Sequence, residues 1–315
     1  MSKTYLVTGG AGFIGSHIVD ALVDKGCKVR VLDDLSMGSL SNLEQVQDRI
    51  EFVQGSILDE GLVNKLATGC EGVFHLAAVT SVPQSVEQPI FVHKVNALGT
   101  LTVIEAARKA GARVVFSSSA AVYGDDPALP KHEDMPTFPI SPYGVQKLMG
   151  EHYLRNFHSL FGLQGYCLRY FNVYGPRQNP SSHYSGVITI FCNRALAGEP
   201  IRIFGDGNHT RDFVFVSDVV QANLLAMEAE RADARPLNVG TGKSVNLTTL
   251  ADLIRQAAES NSPIEYADPR PGDIVHSRCD PSRAQESIGF AAQVSMEQGL
   301  EQTIAFFREQ QKRSP

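Results

Sequence analysis

Residues 8–15 read Thr8-Gly9-Gly10-Ala11-Gly12-Phe13-Ile14-Gly15, or TGGAGFIG. A short apolar run, residues 4–8 (TYLVT), precedes the glycines, and an amphipathic stretch, residues 16–26, follows and ends at Gly26. An apolar run before glycines predicts a buried parallel strand, and the stretch after them predicts a helix. Gly9, Gly12 and Gly15 therefore occupy a strand-to-helix turn. Glycine there permits a tight bend, lets the backbone approach a pyrophosphate, and lets the helix pack on the strand. The helix N-terminus adds free N–H groups and a partial positive charge that suit phosphates. Glycines in this spacing between a strand and a helix predict a dinucleotide-binding turn.

Working outward, residues 28–33 (KVRVLD) form a second strand that ends on Asp33, where the acid that meets an adenosine ribose is expected. Its carboxylate would accept both ribose hydroxyls and repel a 2′-phosphate, so NAD is favoured over NADP. Asp34 could exchange roles with it, and Arg30 on the same strand could soften the preference. Further strands are expected at 50–54, 72–76, 112–117 and 164–169, with helices at 60–68, 96–110 and 143–160. This alternation predicts a parallel sheet covered on both faces. After about residue 170 it breaks, proline and glycine thicken at 175–186 and 268–273, and helices are expected at 187–197, 217–229, 246–258 and 295–310. The fold class is α/β: a Rossmann-type doubly wound parallel sheet with a smaller, mixed α/β C-terminal substrate lobe. The cofactor domain is expected to take residues 1–170 and about 212–245, and the substrate domain about 171–211 and 246–315. The cleft between them is the natural ligand site.

Composition narrows the function classes. The 315 residues are 43% hydrophobic and 20% charged, as in an ordinary globular protein. A net charge of -6 argues against nucleic-acid binding, which uses Lys/Arg-rich surfaces. The five cysteines (Cys27, Cys70, Cys167, Cys192, Cys279) include no Cys-x-x-Cys pair and fit reduced structural thiols. No metal site is expected: His152 and His158 stand six apart on one predicted helix, too far round to share a ligand face. No apolar run is long enough to span a membrane, and MSKT leads straight into a strand with no room for a signal peptide. A soluble, cytoplasmic protein is expected.

The second chemical signal is SPYGVQK, residues 141–147. Pro142 suits the first turn of a helix and Ser141 its cap. Tyr143 and Lys147, four apart, project from one face. A free tyrosine, with a pKa near 10, is a poor base at neutral pH. An adjacent ammonium and the positive nicotinamide ring of NAD would favour the phenolate, giving a base for removing a hydroxyl proton during hydride transfer. A Tyr-x-x-x-Lys pair alone arises by chance in many helices. Here it follows a dinucleotide turn and a serine-rich strand end, FSSSAAVYG (116–124).

Together these segments resemble the extended short-chain dehydrogenase/reductases, and among them the UDP-sugar 4-epimerases. The likeness runs over nearly the whole chain: TGGAGFIG, DDLSMGS, HLAA, FSSSAAVYG, SPYGVQK, LRYFNVYGP, GDGNHTRDFVFVSDV, LNVGTG and RPGD. It implies NAD as cofactor, a UDP-sugar as substrate and a homodimer. Ser119, Tyr143 and Lys147 would be catalytic, with Ser119 on the sugar's 4-oxygen and Lys147 also on the nicotinamide ribose. The implied cofactor set is Gly9, Gly12, Phe13, Ile14, Gly15, Asp33, Ser56, Ile57, Leu76, Ala77, Ala78, Ser117, Tyr143, Lys147 and Tyr170. The implied substrate set adds Ala120, Ala121, Val187, Asn172 and Arg211 on the diphosphate, Arg270 as a second diphosphate arginine, and Asp273 on the uridine ribose. Asn96 would sit near the substrate phosphates or the helix start. The sequence departs from the family at Gly55-Ser56-Ile57, where an acid usually meets adenine and here a hydroxyl stands.

Within the family, dehydratases carry an Asp-Glu pair after the last serine, and decarboxylating relatives commonly a glutamate. Ala120 and Ala121 can do no proton chemistry, which leaves oxidation to a 4-keto sugar and re-reduction on its other face. The position four beyond the Arg-x-Gly-Asp aspartate gates the 2-substituent of the sugar, and counting from Asp273 gives Ser277. A small residue there favours interconversion of UDP-N-acetylglucosamine and UDP-N-acetylgalactosamine. The alternatives are a UDP-glucose/UDP-galactose 4-epimerase, a UDP-hexuronate 4-epimerase and, more remotely, a non-catalytic NAD-sensing protein. Residues 96–108 and 148–160 would supply a four-helix dimer interface, although the same apolar stripes could be internal core.

Overall fold

The structure, a computed structural model, describes residues 2–179, 186–269 and 274–313. Its first half alternates β1 (Thr4–Thr8), α1 (Phe13–Asp24), β2 (Lys28–Asp33), β3 (Ile50–Gln54), α2 (Glu60–Ala67) and β4 (Gly72–His75). Two short helices follow, α3 (Val82–Glu87) and α4 (Pro89–His93), then α5 (Thr100–Ala110), β5 (Arg113–Ser119), α6 (Pro142–Phe161) and β6 (Gly165–Tyr170). The second half contains β7 (Asn172–Tyr174), α7 (Val187–Ala197), β8 (Ile201–Phe204), β9 (Thr210–Arg211), β10 (Phe213–Phe215) and α8 (Val216–Glu228). After these come β11 (Asp233–Val239), β12 (Val245–Asn246), α9 (Leu247–Ala258), β13 (Ile264–Ala267), α10 (Ser282–Ile288) and α11 (Met296–Arg313).

Seven strands form one sheet in the order β11-β6-β5-β4-β1-β2-β3, and every pairing is parallel. Side chains alternate across it as a period of two requires. In β1, Tyr5 and Val7 enter a core with Ile18 and Leu22 of α1 and Val219 of α8. Leu6 enters the opposite core, with Leu66 of α2, Ile104 of α5 and Leu154 of α6. Burial on both faces is why these strands read as unbroken apolar runs. The strand order reverses between β1 and β4, so their carboxyl ends open the crevice where such sheets bind ligands. The smaller C-terminal lobe packs α7, α9 and α11 around its own core, with Phe191, Ile203, Phe215, Leu250 and Ile304.

Three details differ from the sequence expectation. The first helix starts at Phe13, inside the glycine motif, and stops at Asp24 with Lys25 as its C-cap. The helix expected over 96–110 is entered through a π-helical turn, Lys94–Gly99, before regular α-helix begins at Thr100. After the break near residue 170, a further strand that the sequence did not single out, β11, joins the main sheet beside β6. Its pattern is hidden by Pro236, by Ala234 at φ 60°, and by a register shift between Asp233 and Pro236. A proline removes one ladder donor, so this strand is confined to the edge.

Candidate active site

The glycine turn is built as close packing demands. Gly9 takes φ +71°, and a Cβ on Gly15 would lie 2.1 Å from the Gly9 carbonyl oxygen, so no larger residue allows α1 to start there. Gly12 is the N-cap of α1 and offers no side-chain cap, which leaves the first N–H groups of the helix facing the crevice. Phe13 and Ile14, half-buried in the first turn, pack on the core of the smaller lobe. Asp33 is buried at the end of β2; its Oδ2 accepts from Ala11 N–H (2.9 Å) and its Oδ1 from Leu35 N–H (2.9 Å). Burial pushes its carboxyl up, and these two bonds pull it back. Each oxygen keeps a lone pair for a ribose hydroxyl. An uncapped helix start, a glycine cradle and a buried acid on one edge fit a dinucleotide.

The two alternatives left open on this strand close. Asp34 is exposed and spends Oδ1 on the backbone and hydroxyl of Ser36. Arg30 turns away from the cofactor edge, pairing with Glu51 (3.1 Å) and donating to the carbonyls of Leu66 and Thr68. It is not available to a 2′-phosphate. Ser56 lies after β3, half-buried, with its hydroxyl accepting from Leu58 N–H (3.2 Å), while Ile57 is core. Leu76, Ala77 and Ala78 leave β4 half-buried, and the backbone at Leu76–Ala77 closes over Gly9. A neighbouring relay that the sequence did not announce fixes this turn. Thr100 donates to the Asn96 carbonyl (2.6 Å), so it must accept from His75 Nε2–H (3.0 Å), leaving His75 Nδ1 to accept from Thr8 (2.7 Å). Burial drives His75 down to about 3, so the ring stays neutral.

The SPYGVQK segment begins α6 as expected: Ser141 Oγ accepts from Gly144 N–H (3.2 Å) and Pro142 takes the first turn. The Tyr143 N–H, orphaned at the helix start, donates to Ser85 Oγ of α3 (3.1 Å), a partner only the tertiary structure supplies. Gly150 lets α6 lie close on β5, since a Cβ there would meet Phe116 at 2.4 Å. The approach brings the Tyr143 phenol beside Ser119, whose Oγ accepts from Ala121 N–H (3.2 Å). Lys147 Nζ donates to the Ser117 carbonyl (2.7 Å) and lies 5.8 Å from the Tyr143 ring centroid. Ala120 and Ala121 form a half-buried 3₁₀ turn just beyond Ser119.

In the chain alone, burial sets the electrostatics of the pair. Burial pushes the Tyr143 phenol above its ordinary 10.0, with only the Ser119 hydrogen bond pulling down. Burial likewise pushes Lys147 from 10.5 to about 7. Lys147 is not among the groups that lower Tyr143, since its Nζ bonds the Ser117 carbonyl and burial suppresses its charge, so a phenolate would draw on the nicotinamide ring.

The remaining predicted positions divide. Asn172 is exposed on β7, with its N–H donating to the Asp212 carbonyl (3.0 Å). Val187 is half-buried at the first position of α7. Arg211 on β9 donates to the carbonyls of Thr210 (3.0 Å) and Val275 (3.2 Å), and Ser277 N–H donates to the Thr210 carbonyl (3.0 Å). Arg211 and Ser277 are thus neighbours across a short backbone ladder. Arg270 and Asp273 lie outside the described residues. At two positions the side chain's polar atoms bond within the protein, and Asn96 stands at the helix start. Asn96 is buried, with its Oδ1 accepting from Val79 N–H (2.8 Å) and its Nδ2 donating to the Val79 carbonyl (2.9 Å) and Gln146 (3.1 Å), so it clamps the turn after β4 onto α6. The Tyr170 hydroxyl points into the core and donates to Asn223 of α8 (2.9 Å). Both side chains satisfy buried polar partners, which a one-dimensional pattern cannot reveal.

Comparisons with known proteins show the family and the fold. A sequence profile for the NAD dependent epimerase/dehydratase family matches residues 5–240. A UDP-glucose 4-epimerase of Mycolicibacterium smegmatis is 45% identical over 308 residues, covering 96% of this chain and 98% of that protein. The UDP-glucose 4-epimerase of Thermotoga maritima, solved with UDP-glucose, superposes with a TM-score of 0.93 at 42% identity, covering 98% and 99% of the two chains. A UDP-N-acetylglucosamine 4-epimerase of Methanobrevibacter ruminantium, solved with UDP-N-acetylmuramic acid, gives 0.95 at 40% identity over the same shares.

Proposed function

The chain belongs to the NAD dependent epimerase/dehydratase family, and we propose that within it this protein interconverts UDP-N-acetylglucosamine and UDP-N-acetylgalactosamine. The observation that carries the epimerase reading is the grouping of Ser119, Tyr143 and Lys147 beside Ala120 and Ala121. When bound, NAD supplies a reversible hydride acceptor whose positive ring favours the phenolate. Tyr143 would take the proton of the sugar 4-hydroxyl as C4 gives up hydride, and return it to the same oxygen when hydride re-enters from the opposite face of the 4-keto sugar. Ser119 holds the 4-oxygen against the phenol, and Lys147 orients the nicotinamide ribose. Ala120 and Ala121 put no acid or base beside the sugar, so elimination of water has no proton donor. Arg211 grips the diphosphate with Arg270, a task for which guanidinium geometry is suited. Residues 1–170 and about 212–245 would hold the cofactor, and about 171–211 and 246–315 the substrate.

Ser277 carries the choice of sugar: a small side chain next to the Arg211 strand leaves room for an N-acetyl group. The structural similarity to a UDP-N-acetylglucosamine 4-epimerase supports this reading. A second reading, UDP-glucose/UDP-galactose interconversion, is favoured by the likeness to the mycobacterial and Thermotoga enzymes. Purified protein incubated separately with UDP-glucose, UDP-N-acetylglucosamine and UDP-glucuronate, followed by separation of the 4-epimers, distinguishes the readings. Ser277→Tyr is expected to abolish turnover of the acetylated sugar and spare glucose. Equal loss of both would sink the gate argument.

A further inference from the structure

The helix that carries Tyr143 and Lys147 carries Glu151 four residues further on, and the spacing 143, 147, 151 places all three on one face. Opposite them, β5 ends in Ser117, Ser118 and Ser119, and each engages one of the three. Ser119 meets the Tyr143 phenol, the Ser117 carbonyl accepts from Lys147 Nζ at 2.7 Å, and the Ser118 hydroxyl donates to Glu151 Oε1 at 2.5 Å. Strand and helix thus meet at three points, two of them hydrogen bonds.

The third point is anchored from the next strand. Arg169 of β6 holds the Glu151 carboxylate at both oxygens, Nε to Oε1 at 2.9 Å and Nη2 to Oε2 at 2.7 Å. The pair is buried, with 4% and 7% side-chain exposure. The Arg169 guanidinium lies 4.8 Å over the ring of Tyr123, which closes the turn carrying Ala120 and Ala121. Tyr123 in turn donates to Asn238 of β11 at 2.7 Å. One buried network therefore reaches the reacting groups from below, through Ser118, and from beyond, through the alanine turn.

Stability alone is a weak reason for such a pair, because a buried ion pair often stabilises no better than apolar residues of the same volume. Nor does Glu151 serve Lys147 as a counter-ion, since its carboxylate is committed to Arg169 and Lys147 responds only to burial. What the pair does supply is a fixed, directional link between β5 and α6. We infer that Glu151, held by Arg169, is a positioning residue that sets the register in which Ser119, Tyr143 and Lys147 meet. The inference rests on the proposal that these three residues perform the hydride-transfer chemistry.

Three variants of the NAD-loaded protein test it. Ser118→Ala removes the lacing bond and leaves the ion pair; Glu151→Gln removes the anion; Glu151→Gln with Arg169→Met removes both charges, so that no guanidinium is stranded. kcat, KM, the pH profile of kcat and the melting temperature are measured with the UDP-sugar that the wild type turns over. Loss of alignment is expected to lower kcat about tenfold to a hundredfold, with KM within about twofold. The acid limb of the profile is expected to move to higher pH in all three, because Tyr143 moves away from the Ser119 hydroxyl, the one neighbour that lowers its proton affinity. The double variant is expected to regain most of the melting temperature lost in Glu151→Gln while keeping the low kcat. Wild-type kcat and an unmoved limb in Ser118→Ala and the double variant would overturn the inference. A wild type inert on every UDP-sugar would overturn the proposed reaction, and the register is then decided by NMR titration of Lys147. In Ser118→Ala the slipped register weakens the Lys147 Nζ bond to the Ser117 carbonyl, which favours the ammonium, so its titration should move further down, and an unchanged titration would overturn the inference independently of any activity.

Discussion

Replacing Lys147 with Met asks how much stability the active site gives up to keep a buried amine. Lys147 is 4% exposed, and burial alone takes it from 10.5 to about 7. At 1.36 kcal/mol for each tenfold change in proton affinity, that displacement corresponds to about 5 kcal/mol against folding when the amine is protonated in both states. Met has a similar length and no charge, but it forfeits the bond to the Ser117 carbonyl and the ammonium's place 5.1 Å from the Phe116 ring centroid. Those losses are worth about 2 to 3 kcal/mol together, so a net stabilisation of about 2 kcal/mol is expected near pH 7. In a chain of this size that is roughly 4 °C in melting temperature. The pH dependence gives the sharper check. The folded-state value is depressed, so between about pH 7 and 10.5 the unfolded chain binds more protons, and wild-type stability rises with pH across that window. The variant lacks this term. Its advantage should be full below pH 7 and fade as pH approaches 10.5, while epimerase activity is lost throughout. Melting curves of nucleotide-free wild type and Lys147→Met at pH 6, 7, 8, 9 and 10 measure it. A variant less stable than wild type at pH 7, or a gap that does not shrink with pH, would refute the reasoning.

Two further outcomes are expected. Tyr143→Phe keeps the buried ring and the Ser85 cap on its backbone but removes the proton carrier. It should lower kcat by about a hundredfold or more while the protein still binds NAD, checked by steady-state assay and nucleotide titration; full activity would remove Tyr143 from the chemistry. We propose that the homodimer implied by the resemblance forms through α5 and α6, where Leu98, Val145, Leu160 and Phe161 are exposed apolar side chains. Light scattering should give a dimer mass for wild type and a monomer mass for Leu160→Arg, and a wild-type monomer would end that proposal.

Much of the fold was legible because its rules are local. A glycine turn between an apolar strand and a helix, followed by repeated strand and helix, admits few architectures besides a parallel sheet covered on both faces. Tyr143 and Lys147 were legible for the same reason, since a four-residue spacing fixes a shared face without knowledge of the rest. Glu151 stood at the next such position and could have been found by extending the count. What it pairs with could not, because Arg169 lies on another strand. The edge strand β11 was obscured by Pro236 and the irregular backbone at Ala234, which a partner strand tolerates only at an edge.

The amino-acid order by itself determined the sheet, the glycine turn, the acid at the end of β2 and the helix face that presents the tyrosine and lysine. Each depends on residues within a few positions of one another. Only the tertiary structure decided that Arg30 faces Glu51 rather than a cofactor, that Asn96 and Tyr170 satisfy buried partners, and that Tyr143 is raised while Lys147 is lowered. The physical reason is the same throughout. Hydrogen-bond partnership and desolvation depend on what packs around a group from distant parts of the chain, and that is settled when α6 closes on β5.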